Sequence, residues 1–226
     1  MPPAPNRETF SELLDAATSR YRDGESRLPG SDDPDARQRQ LTRLGNAANA
    51  AGLCLLMLGR GDEAREWLDR AARRWRESYA DAPPSSWGRP IGAIKARILA
   101  GDWPGAEQEA RWALELGTVE AESPIGRYAG ALALLTLGRD EEARPVATSI
   151  HGVEGFPEDV ADALRMLAAG DDAIGYIGAV EHVLESFETR EAYLEDIPVA
   201  DTVLVLQALA ARRDLAAELE SPLLPA

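Results

Sequence analysis

The chain has 226 residues, enough to bury a sizeable core as one large domain or one short solenoid. It carries 24 Lys and Arg against 39 Asp and Glu, a formal net charge of -15, which argues against nucleic acid as a partner because phosphate binding needs a cationic face. The single cysteine, Cys54, cannot close an internal disulfide, and no apolar run approaches the roughly 18 residues of a membrane span, so a soluble cytoplasmic protein is expected.

The carboxylates are spread through nearly every segment, and Lys95 is the only lysine. Two accounts of the acidity stay open. In one, a salt-adapted cytosol screens the self-repulsion of a carboxylate-rich surface. In the other, the surface presents itself to a basic partner such as a nuclease toxin or a nucleic-acid-binding protein. The even spread of charge favours the first, since a functional acidic face would be clustered.

Taken in order, the segments read as helices parted by short polar breaks, with no period-2 stretch to make a sheet, so the fold class is all-α. A first helix is expected from about Glu8 to Tyr21, with Phe10, Leu13, Leu14 and Ala17 on one stripe. A flexible connection, residues 23–34, follows it, so that 8–35 form an N-terminal unit. Asp35 is the expected N-cap of a long inner helix reaching Leu58, and Cys54 lies in its apolar second half as a buried, unreactive thiol. After a turn at residues 59–61, the next helix places Ala64, Trp67, Leu68, Ala71, Ala72, Trp75 and Tyr79 on one buried face. Its other face carries the four-apart pairs Glu66 with Arg70, Asp69 with Arg73 and Arg73 with Glu77.

Residues 81–86, with Pro83 and Pro84, read as a loop leading to a helix through Ile91, Ile94, Ile98 and Leu99. Asp102 with Pro104, and Ser123 with Pro124, are cap-then-proline openings of the next two helices. A shorter helix interrupted at Pro145 closes this part. The remainder, residues 151–226, reads as a loop, a helix opening at Pro157, and a Gly170-Asp171 turn. There follow a helix bearing Ile174, Ile177, Val180, Leu184 and Phe187, then an almost wholly apolar helix from about Val199 to Ala211 before Arg212 and Arg213.

One feature recurs: Gly59 with Ala64, Gly101 with Ala106 and Gly138 with Ala143 each place a glycine after an apolar helical run and an alanine five residues on. That pattern predicts antiparallel helical hairpins stacked as a short α-solenoid over residues 36–150, within one all-α domain spanning 1–226. The stretch from Ala48 to Ala71, with Gly52, Gly59, Ala64, Leu68 and Ala71, resembles a tetratricopeptide-type repeat. The resemblance covers roughly Gly45 to Ile150 and implies a scaffold that binds other proteins. The order of the Gly170-Asp171 turn, the amphipathic helix, the apolar helix closed by Arg212-Arg213 and the Leu224-Pro225 tail is similar to the end of immunity proteins of bacterial polymorphic-toxin systems. That likeness implies neutralisation of a toxin by direct binding and carries over no functional residue.

Chemistry-bearing patterns are scarce. His182 has Glu181 and Glu185 nearby, but Ala179 stands where a di-iron Glu-x-x-His motif needs its glutamate. His151 has no second ligand at metal spacing. Asp32, Asp33 and Asp35 are interrupted by Pro34 and lack the glycine and closing glutamate of a calcium loop, and Asp171 and Asp172 read as helix caps. No glycine loop frames a lysine, so no catalytic residue, cofactor or metal is assigned, and an enzyme with a pocket assembled from distant residues ranks third. The reading is a protein-binding module without membrane or nucleic-acid contact. Its candidate partner-binding residues are Trp87 with Arg89, Trp112 with Arg111, and Arg70 and Arg74, since aromatic and arginine side chains off the core stripes are common interface anchors.

Overall fold

Helical runs separated by glycine and proline punctuation become ten α-helices, and no strand, among the residues that the computed structural model describes, 5–28 and 33–225. They are α1 (Arg7–Ser26), α2 (Pro34–Met57), α3 (Gly61–Tyr79), α4 (Gly88–Leu99), α5 (Trp103–Glu115), α6 (Pro124–Thr136), α7 (Asp140–Ile150), α8 (Glu158–Ala169), α9 (Ala173–Glu188) and α10 (Asp201–Ala211). Each packs on its neighbours in chain order, giving hairpins α2/α3, α4/α5, α6/α7 and α8/α9, while α10 returns onto α4, α8 and α9. The arrangement is an all-α helical repeat.

The recurring glycines do the same job three times. Gly59, Gly101 and Gly138 have φ of 73°, 69° and 69°, the left-handed conformation that lets a helix end and the chain reverse. In each copy the following amide bonds back to the helix: Arg60 to the Leu55 carbonyl at 2.9 Å, Asp102 to Arg97 at 3.0 Å, and Arg139 to Leu134 at 2.9 Å. The alanines five residues on are fully buried where the second helix meets the first. A Cβ on any of the three glycines meets nothing within 4 Å, so its cost is purely conformational. Each single Gly→Ala change is expected to lower stability by about 1 kcal/mol, read as a shift in urea midpoint at constant slope; no shift would mean that the turn relaxes freely.

Several boundaries differ from the sequence reading. The first helix runs on to Ser26, because Gly24 is buried against α2 and a Cβ there would lie 2.7 Å from Gln40 Nε2 and 2.9 Å from Leu44 Cδ2. Asp33 rather than Asp35 caps α2, its side chain accepting from the Asp35 amide at 3.0 Å with Pro34 in the first turn. Asp35 instead takes Gln38 and Arg39 as hydrogen-bond partners, which hold its carboxyl below the usual range. Asp32 and the rest of residues 29–32 lie outside the described residues. Pro145 does not interrupt α7: it sits on the exposed face, so the carbonyl it leaves without a donor can turn to water. On α9 the buried face is Tyr176, Ala179, Val180, Val183, Leu184 and Phe187, and Ile174 and Ile177 point outward, which corrects the expected stripe.

On α3 two of the three expected pairs form, Arg73 with Asp69 at 2.5 Å and Arg70 with Glu66 at 3.8 Å. Glu77 is taken instead by Arg37 at 2.7 Å and Arg74 at 2.9 Å, both of which reach it more directly than Arg73.

Two apolar clusters meet at α4. Its alanines Ala93, Ala96 and Ala100 face the cluster of α1 to α3, and Ile94 and Ile98 face the cluster that runs on to α10. Before α10, residues 189–200 form a strap that returns to the first cluster, burying Ile197 and Val199 there. Glu195 in this strap lies 3.6 Å from Arg20 and accepts from Asn46 at 3.3 Å. Glu195 and Asp196 both have left-handed φ, 54° and 60°, which costs non-glycine residues and persists because Ile197 and Val199 anchor the strap just after them while Arg20 and Asn46 hold Glu195. At the far end, Arg213 reaches the Leu135 carbonyl at 2.7 Å and Asp140 at 2.5 Å, tying the end of α10 to the turn between α6 and α7.

Candidate functional site

The strap and α10 bring Leu194 and Asp201 beside side chains of α2 and α4. The result is a groove of about 610 Å3, floored by α2 and α4 and walled by residues 85–88, the start of α6, Leu194 and Asp201. A smaller chamber of about 70 Å3 under the strap shares Asn46, Asn49, Leu194 and Asp201 with it. The size lies in the range of small-molecule and peptide-anchor sites.

Three features give the groove its character. Trp75 forms its inner wall, wedged between Gly45 of α2 and Gly92 of α4 and donating from Nε1 to Asn46 Oδ1 at 3.0 Å. Trp87 stands on the opposite wall, its indole against Gly126, where a Cβ would lie 2.8 Å from Nε1. Ile125 and Leu194, exposed at 40% and 65%, flank the mouth and are two of the most exposed large apolar side chains among the described residues.

The charges of the groove come from three side chains. Lys95, on α4, pairs with Asp201 at 2.6 Å and donates to Thr202 Oγ1 at 3.0 Å, with only 14% of its side chain exposed. Burial opposes the ammonium, yet the Asp201 carboxylate outweighs it and holds the Lys95 pKa above its usual value. Tyr128 lies in the same surroundings, and burial raises its phenol pKa. Arg89 differs: Nε donates to Ser78 Oγ at 2.8 Å, and Nη2 to Gln38 Oε1 at 2.5 Å and Thr42 Oγ1 at 3.1 Å. All three acceptors are neutral, and no carboxylate of a described residue pairs with it; burial pulls its pKa below the usual arginine value.

Of the residues singled out by sequence, Trp87 and Arg89 come together in this groove. The others lie elsewhere. Arg70 stacks over Trp67 with its guanidinium carbon 4.6 Å from the ring and pairs with Glu66. Arg74 is held by Glu25 at 2.8 Å, Glu77 at 2.9 Å and the Tyr21 hydroxyl at 3.3 Å. Arg111 pairs with Glu107 one turn earlier, at 3.0 Å. Trp112 packs edge-on against Tyr79 of α3 at 5.2 Å, beneath Arg76 at 4.7 Å, and so fills the seam between the first and second hairpins. Trp112→Ala is expected to cost about 2 kcal/mol from lost burial and ring contact, measured by denaturant unfolding; unchanged stability would mean that the seam closes without it.

Sequence reasoning missed Asn46, Asn49, Trp75, Lys95 and Asp201 as groove residues. One signal could have found Lys95: a lone lysine, in a chain otherwise using arginine, on the apolar helix bearing Ile91, Ile94 and Ile98. Asp201 carries no such signal, since only the return of α10 onto α4 brings it across.

Cys54 is buried and its thiol is pushed up to about 12 by burial, which leaves it protonated at neutral pH. His151 rests 3.1 Å from Asp162 and 3.7 Å from Glu158, and His182 is exposed. Among the described residues no three His, Cys, Asp or Glu side chains are grouped to hold a metal, and no helix is long and apolar enough to cross a membrane. No family model, curated protein or solved structure matches the chain.

Proposed function

We propose that the protein is a protein-binding module built of divergent tetratricopeptide-like hairpins, without catalytic activity, whose partner docks across the mouth of the concave groove. The observation that carries this reading is that two exposed apolar side chains, Ile125 and Leu194, line the groove together with Trp87. Apolar anchors ringed by polar groups are what a partner's side chains desolvate on binding. A single basic toxin neutralised by direct binding is the second reading, since a net charge of -15 attracts a cationic partner at low salt even where the charge is evenly spread.

The test is affinity capture from the source lysate at low and at molar salt, with the wild type and with an Ile125→Asp/Leu194→Asp variant. One polypeptide retained in stoichiometric amount by the wild type and released by the variant is the expected result. A basic polypeptide that is toxic when expressed alone would establish the second reading. No retention at either salt, or equal retention by the variant, would overturn the groove as a docking surface.

A further inference from the structure

The groove lining holds Arg89 and Lys95 against the single carboxylate of Asp201, so within a chain of net charge -15 its own balance is positive by one. Lys95 and Asp201 neutralise each other, and the surplus is Arg89. Its Nε and Nη2 donors are spent on Ser78, Gln38 and Thr42, and Nη1 makes no hydrogen bond to a described residue. A half-buried guanidinium held rigidly by neutral acceptors, with one edge unpaired, is arranged to receive an anion, because its rotamer is already fixed and only Nη1 and the anion have water to shed.

The walls set the rest of the ligand. From Thr42 beside Arg89 to Asn49 beneath the strap is seven residues of α2, or ~10 Å at the helical rise. Along that length the groove presents Trp75, Trp87 and Ile91, all apolar. Leu194 and Asp201 line the groove beyond Lys95, and the strap behind them is held by buried Ile197 and Val199. A short ligand that ends inside the groove matches this length.

We infer that the groove is a binding site for a small organic carboxylate about 10 Å long, its carboxylate on Arg89 and its aromatic or branched apolar body between Trp75, Trp87 and Ile91. The ligand site shares Trp87 and Leu194 with the mouth proposed for partner docking, and ligand binding is measured on the free chain, so failure of one reading leaves the other standing. The long-range repulsion of a negatively charged protein is cut off within about 10 Å at 0.1 M salt, so the local guanidinium decides.

The test uses the full chain with phenylacetate and 4-methylpentanoate, each beside its neutral amide, followed by thermal shift and by tryptophan fluorescence. Both acids are expected to raise the melting temperature in the millimolar range and to perturb the emission of Trp75 and Trp87, while the amides do neither. Arg89→Gln is expected to weaken the acids by tenfold or more, on the order of a lost charge-assisted bond. Should that variant fail to fold, Ser123→Asp decides. Asp replaces Ser as the helix cap that accepts from the Gly126 amide, and it sets a second carboxylate in the groove, so affinity for the acids should fall while stability holds. Amides that bind as well as the acids, acids without effect, or affinity unchanged in Ser123→Asp would each overturn the site.

Discussion

Trp75→Ala is expected to be the most destabilising single change in the protein, lowering the unfolding free energy by about 4 kcal/mol. The indole is 6% exposed and occupies the space where α2, α3 and α4 meet. Two glycines shape that space: a Cβ on Gly45 would lie 2.6 Å from the ring, and one on Gly92 would lie 2.8 Å from it. Neither glycine has a side chain that could swing in to fill the space, which opens onto the groove, so the lost burial and ring contacts are not recovered by collapse. The truncation also strands the Asn46 carbonyl oxygen that accepts from Nε1. The reciprocal change, Gly45→Val, should destabilise by overpacking, since the ring is confined from the Gly92 side as well. Urea unfolding of both variants settles the matter, and a loss under ~1.5 kcal/mol for Trp75→Ala would mean that the three helices close on each other without the ring.

The second large effect lies at the Lys95–Asp201 pair, which clamps the returning α10 onto α4. Removing one partner of a poorly exposed ion pair leaves the other uncompensated, and Lys95→Met is expected to cost about 3 kcal/mol. The double variant Lys95→Met/Asp201→Leu, which removes both charges and supplies apolar bulk, should recover most of that loss, and with Asp201→Leu measured alone the cycle gives the coupling between them. Equal destabilisation of the single and double variants would show that shape rather than charge holds the contact. The pH dependence has a definite sign. Because the folded pKa of Lys95 is raised above its unfolded value of 10.5, the pair contributes its full stability below that pH and loses it as the pH climbs through the folded value. Burial raises Cys54 to about 12 from its usual 9.0 and raises Tyr128 as well, and each adds a loss of the same sign. Stability should therefore fall on the alkaline side from about pH 9 upward, and the steepest part of that fall should be shallower in Lys95→Met.

The helices themselves were legible because their signals are local. Gly59, Gly101 and Gly138 end helices by backbone conformation alone, and Ser123 and Asp102 start them with side chains only three residues from the amides they cap, so a reader of the chain needs no tertiary knowledge to place either. Errors arose where a neighbour in space overruled a local signal. Gly24 looks like a helix breaker until α2 packs on it and needs its missing side chain. Pro145 looks like a break until its exposed position lets the freed carbonyl turn to water. On α9 the three-and-four spacing allowed more than one apolar stripe, and packing on α8 and α10 chose the one that leaves Ile174 outside.

The sequence by itself determined the class, the number of hairpins in the central stack and the residues that close each turn, since all of these follow from hydrogen bonds and rotamers within a few residues. The tertiary structure alone decided where a ligand could sit. The groove joins residues from Thr42 to Asp201, and its carboxylate and its exposed Leu194 both depend on a strap and a final helix that return across more than half the chain. The physical reason is that helix periodicity records which side of a helix is buried and never what it is buried against. Arg89 shows this at one residue: its charge is ordinary in the sequence, and only the neutral company of Ser78, Gln38 and Thr42 leaves it unpaired.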